Sequence, residues 1–229
     1  MIQLRKSTDR GHFNFGWLDT YHSFSFGDYH DPKHMGFRTL RVINEDIIEP
    51  GQGFPLHGHR DMEIITCILE GELEHRDSLG NRGSIQTSEF QIMTAGTGIR
   101  HSEYNASSKQ RCRLLQIWIL PESKDLAPQY EQKIFKKENS GLKLVAAPDL
   151  KQGLLIYQNV RLYLGSLSAG EKTTQSLDKA RYAWIQVAHG KLRINGTPLE
   201  PGDGAAISDE TKLDFESLSD CEFLLFDLN

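Results

Sequence analysis

Gly51-Gln-Gly-Phe-Pro-Leu-His57-Gly-His59-Arg-Asp-Met-Glu63-Ile-Ile-Thr-Cys-Ile-Leu-Glu-Gly71 decides the reading of this chain. Glycines open and close the stretch, and its second half alternates as a strand rather than repeating with a helical period. His57 and His59 are two positions apart, so on an extended backbone both imidazoles leave the same face. Two imidazoles on one face can hold one metal ion. Glu63, four positions after His59, shares that parity and is a candidate for a carboxylate ligand beside them.

A second pair follows in Gly96-Thr-Gly-Ile-Arg-His101-Ser-Glu103. If the two segments lie on neighbouring strands, His57, His59, His101 and a glutamate converge. Three imidazoles and one carboxylate suit a first-row divalent ion. Four protein ligands on an octahedral ion leave two positions open, the mark of a ligand or substrate site rather than a closed structural one. From spacing alone, Glu63 and Glu103 remain rivals for the fourth place.

Outward from these segments the chain reads as strands. Residues 113–120 (RLLQIWIL) put Leu115, Ile117 and Ile119 on one face and Leu114, Gln116 and Trp118 on the other. Similar runs occupy 36–48, 62–75, 154–167, 183–187, 192–194 and 223–228, with turn residues at short intervals. The best helix candidate is 129–137 (QYEQKIFKK). Many short strands without a strand–helix–strand rhythm predict an antiparallel sandwich or barrel. The polar stretch 136–141 (KKENSG) reads as a linker. On either side of it the spacing Gly51 to Gly71 recurs as Gly170 to Gly190, each followed by a turn and then an acid, Glu89 or Asp203, which points to an internal duplication.

Composition narrows the class. The chain has 229 residues and a formal charge of -5, so no basic face for direct nucleic-acid contact is expected. Cys67, Cys112 and Cys221 sit among apolar neighbours without a paired spacing and read as buried, inert thiols of a reducing compartment. The N-terminus carries no apolar signal segment and no run approaches a membrane span, so a cytoplasmic protein is expected. His12, His22, His30 and His34 read as structural or exposed, and His75 and His189, at strand–turn junctions, as solvated.

The Gly51–Gly71 stretch resembles the first cupin motif, with one extra residue before the last glycine. Gly98-x2-His101-x3-Asn105 resembles the second, with Gly96 where proline is usual. His22-Ser-Phe-Ser-Phe-Gly-Asp-Tyr-His-Asp-Pro32, Met35-Gly-Phe37, Leu40-Arg-Val42 and Glu89–Asn105 are similar to the pirin family. The resemblance is densest over residues 1–120. It implies an all-β bicupin, two antiparallel β-barrel (jelly-roll) domains packed together with few helices. Residues 1–130 would form a metal-binding cupin and 131–229 a cupin without ligands. It favours His57, His59, His101 and Glu103 as ligands of one divalent transition metal per chain, Fe(II) first, with Cu, Ni, Co, Mn or Zn as alternatives. In the repeat frame the corresponding second-half positions are Ser176, Asp178 and Tyr182, then Phe215 and Ser217, with no imidazole among them.

The resemblance further implies quercetin 2,3-dioxygenase activity, in which a small aromatic flavonol is opened by O2 with release of carbon monoxide. Glu103 would then be ligand and general base at once. The alternative that the family offers is a non-catalytic, metal- or redox-responsive protein acting through partners such as transcription regulators or metabolic enzymes.

Overall fold

A computed structural model describes residues 1–135, 140–149 and 153–229. Among these the backbone is almost wholly strand; the sole helical element is a 3-10 turn, Ser7–Asp9. Two compact units emerge. One comprises residues 11–135 with 154–158; the other comprises residues 1–10 and 159–229 with the described part of 136–153. Relative to a single cut at 130, three short segments, residues 1–10, 131–135 and 154–158, belong to the other unit. The N-terminal strand Ile2–Arg5 pairs with Gly204–Ile207, and Asp203 clamps it by accepting from Lys6 Nζ and the Ser7 amide, both at 2.7 Å.

In the first unit the larger sheet runs Gln129–Ile134, Glu89–Thr94, Glu63–Glu70, Cys112–Ile119, Leu40–Ile48, Leu18–His22, Gly11–Asn14. The smaller runs Gly53–His59, Ile99–Asn105, Glu72–Asp77, Arg82–Gln86. Every neighbouring pair is antiparallel. The expected helix over 129–137 is instead the edge strand Gln129–Ile134, paired with Glu89–Thr94; residues 136 and 137 lie outside the described residues. Its Glu131 and Lys133 are charges of the kind that protect a sheet edge, and pairing overrides their modest helix preference. Of the expected linker, residues 136–139 also lie outside the described residues.

The second unit repeats the plan. Its larger sheet contains, in order, Ile2–Arg5, Gly204–Ile207, Tyr182–His189, Cys221–Leu228, Val160–Leu167 and Gly141–Ala147; its smaller is Lys172–Ser176, Lys212–Ser217, Leu192–Ile194, Thr197–Leu199. Gly71 (φ +79°) and Gly190 (φ +73°) end equivalent strands, where a Cβ would stand 2.6 Å from Arg111 O and 2.0 Å from Asp220 O. Only glycine fits such a left-handed, close-packed corner. Both units are thus cupins, and the duplication is real.

The pairing corrects the detailed correspondence. The Asn105 amide donates to Gln52 O as the Ser217 amide does to Glu171 O, which aligns Asn105 with Ser217. Glu103 then matches Phe215 and His101 matches Leu213. A bulge lies between the pairs His101–His57 and Glu103–Phe54, so His57 matches Gln175 and His59 matches Leu177. An ungapped shift lands one residue off at the first motif and two off at the second. The conclusion is strengthened: Leu177, Leu213 and Phe215 are core side chains, and Phe215 stacks on Phe223 at 5.0 Å.

Candidate metal centre

The smaller sheet of the first unit brings the two motifs together. His57 lies directly opposite His101, and His59 opposite Ile99, on adjacent antiparallel strands. Directly paired residues project to the same face, so the three rings converge. His101 Nε2 is 3.0 Å from His57 Nε2 and 3.0 Å from His59 Nε2. Two neighbouring nitrogens at about 2.1 Å from one ion and at right angles to each other are about 3.0 Å apart. The spacing therefore fits a shared cation. Glu103 shares the face of His101, and its carboxylate lies within 4.8 Å of the His101 and His75 nitrogens.

The electrostatics prepare these groups. Burial, with help from the His57 ring, lowers the His59 pKa to about 4; burial and the three neighbouring imidazoles hold His101 lower still. Both rings are neutral near pH 7, the form that ligates. His57 Nδ1 lies 2.8 Å from Pro55 O, so an N–H there donates to the carbonyl and leaves Nε2 free. Glu103 is pushed up to about 7 by burial and then by the Asp46 charge, against hydrogen bonds from Thr66 and Gln116. Gln116 Nε2 donates to Glu103 Oε2 at 3.0 Å. A cation in the site would reverse that shift and release the proton.

Glu63 does not join the cluster. Between His59 and Glu63 the chain turns through Asp61 (φ +49°), and the turn resets the parity. Glu63 faces the other side of the larger sheet, accepting from Thr94 Oγ1 at 3.1 Å and the Tyr157 amide at 3.3 Å. His75 departs from expectation the other way. It is fully buried, 3.5 Å from His101 Nδ1 through its own Nδ1 and 3.2 Å from the buried Asp77 through Nε2. Burial pushes Asp77 up, but hydrogen bonds from Asn81, His75 and Leu79 together hold it below the ordinary carboxylate range. An acid behind one imidazole, and that imidazole behind another, orients His101 from the rear. His22, Asn44, Asp46, Thr66 and Gln116 were also not singled out by spacing. The available signal was polar residues at inward positions of otherwise apolar strands.

The convergence opens into a cavity of ≈ 520 Å³, within the range of about 300–1,000 Å³ usual for small-molecule sites. Phe13, Phe15, Phe26, Phe54, Ile64 and Trp118 make its apolar walls, and Thr20, His22, Asn44, Asp46 and Gln116 its polar floor.

Comparison with known proteins fits this geometry. Residues 3–119 match the Pirin family, and residues 144–228 match the Quercetinase C-terminal cupin domain. The chain belongs to the pirin family. It is 51% identical over 229 residues, all of this chain and 99% of the relative, to a protein of Escherichia coli K12 named quercetin 2,3-dioxygenase. A Pasteurella multocida relative named putative quercetin 2,3-dioxygenase is 47% identical over the full length of both chains. The crystal structure of the bacterial pirin YhhW from E. coli in complex with nickel(II) superposes with a TM-score of 0.96 at 51% identity, covering 100% of this chain and 99% of that one. The donor set of this pirin suits a single divalent metal. No helix among the described residues is long and apolar enough to cross a membrane.

Proposed function

We propose that this pirin is a metal-dependent dioxygenase that opens flavonols such as quercetin with O2 and releases carbon monoxide. The observation that carries this reading is the cluster of His57, His59 and His101, with Glu103 beside His101, lining one aromatic-walled cavity. These four side chains would hold one divalent ion, with Fe(II) the expected native metal. Bound there, the ion would supply Lewis acidity that acidifies a flavonol 3-hydroxyl and orients the ring.

The chain's own residues do the rest. The Phe and Trp walls accept a flat polycyclic substrate and exclude water from the reacting edge. Glu103, buried and held by Gln116 and Thr66, takes the 3-hydroxyl proton at a carboxylate oxygen. His75 and Asp77 keep His101 in place while charge develops. The second cupin, with Gln175, Leu177, Leu213 and Phe215 at the matched positions and no imidazole or carboxylate among them, gives structural support only.

The test is anaerobic quercetin binding to protein purified without added metal and assayed for metal, followed by O2 and detection of carbon monoxide. Stoichiometric carbon monoxide supports the enzyme. Binding without carbon monoxide reduces the site to a ligand-binding one.

A further inference from the structure

The first barrel carries a row of polar side chains across its inner face, one per strand. Register places His22 opposite Asn44, Asn44 opposite Gln116, Gln116 opposite Thr66 and Thr66 opposite Gln91. All five are buried. The second barrel is an internal control. Its pairing of Ile185 with Leu225 and Ala205, and of Leu225 with Tyr163, gives Thr66, Gln116, Gln91 and Asn44 the counterparts Ile185, Leu225, Ala205 and Tyr163. The first three are core residues and the tyrosine packs against them. One fold in one chain therefore closes with an apolar row at these positions, so folding does not require the polar one.

Part of the row is already used: Gln116 and Thr66 hold Glu103. The part beyond is not. Asn44, 3% exposed, lines the cavity with its Oδ1 shielded and without a partner. Asp46, 4% exposed, also lines the cavity. Its Oδ1 accepts from Thr20 Oγ1, while its Oδ2 takes part in no hydrogen bond among the described residues. Buried polar groups left unmade are costly, so their natural complement is a ligand that satisfies them. Asn44 lies one interstrand spacing, about 5 Å, beyond Gln116 and away from Glu103.

We propose that Asn44 and Asp46 form a hydroxyl-recognition subsite that binds a phenolic O–H on the flavonol away from its metal-binding edge. This rests on the flavonol reading above and adds the substrate class to it: a polyhydroxylated aromatic, held at one edge by the metal centre and at a second hydroxyl by this pair. Asp46 Oδ2 accepts the O–H, and the Asn44 carboxamide offers a second polar contact. A substrate without the hydroxyl leaves both groups buried and unmatched, which makes the pair a source of specificity.

The experiment compares anaerobic dissociation constants of nickel-loaded protein for quercetin and for 3-hydroxyflavone, which keeps only the metal-binding hydroxyl and carbonyl. Wild-type protein is expected to prefer quercetin by about tenfold or more. Asp46→Asn and Asn44→Leu should each cut that preference about three- to tenfold. Metal content and melting temperature check the fold, and Asn44→Ser replaces Asn44→Leu if the latter misfolds. Equal affinity of wild-type protein for the two flavonols, or a preference unchanged in the variants, overturns the subsite and leaves the flavonol reading standing. Failure of both flavonols to bind wild-type protein overturns the flavonol reading and the subsite with it.

Discussion

Replacing Glu63 by Gln should stabilise the metal-free protein, and only above a defined pH. Glu63 is fully buried, with Oε1 unpartnered and Oε2 bonded to Thr94 and the Tyr157 amide. Burial raises its pKa from 4.5 to about 7, against those two bonds. The folded state therefore holds the proton after the unfolded chain has lost it. Below pH 4.5 both states are protonated and the group is neutral in its effect. Between pH 4.5 and 7 the fold loses stability as pH rises, and above 7 the loss is complete. At about 1.4 kcal/mol per pH unit the full loss is about 3 kcal/mol. Gln keeps an oxygen for Thr94 and Tyr157 but buries an NH2 where Oε1 had no partner, which returns about 1 kcal/mol. Glu63→Gln should then exceed wild type by about 2 kcal/mol at pH 8 and by little at pH 5. Urea unfolding of metal-free protein across that range measures it, with metal binding by the refolded variant as a second readout. A pH-independent difference would refute the buried-acid argument, and loss of metal binding would return Glu63 to the ligand set.

His57→Ala and His59→Ala should each strip most of the metal, because no neighbour replaces the lost nitrogen, while Ser176→Ala and Asp178→Ala keep it; elemental analysis showing full metal in both histidine variants would make the pair structural. Glu103→Gln should keep part of the metal and lose flavonol turnover by about a hundredfold or more, and a wild-type rate at full occupancy would remove it as base. His75→Leu should fold, since Ile194 fills the matched position of the second barrel, yet bind metal about 10- to 100-fold more weakly by competition with a chelator. An unchanged affinity would deny His75 its orienting role.

The sequence by itself determined what depends on local geometry. The H-x-H and H-x-E pairs each had to present both side chains to one face, since alternation is a property of any extended segment. The glycines at 71 and 190 marked corners that no other residue turns, and so betrayed the duplication. Tertiary structure decided whatever hangs on register between strands and on the turns that join them. Asp61 reverses parity before Glu63, so a glutamate that counts as a ligand along the sequence points away in space. A bulge opposite His101 shifts the match of the two halves by a residue. His75 looked like a solvated strand end and is instead sealed behind His101, because Tyr130 on the edge strand of the larger sheet packs over it at 4.7 Å. The polar row belongs to the same class: Asn44, Thr66, Gln91 and Gln116 lie on four strands far apart in sequence, and only hydrogen-bonded pairing sets them side by side.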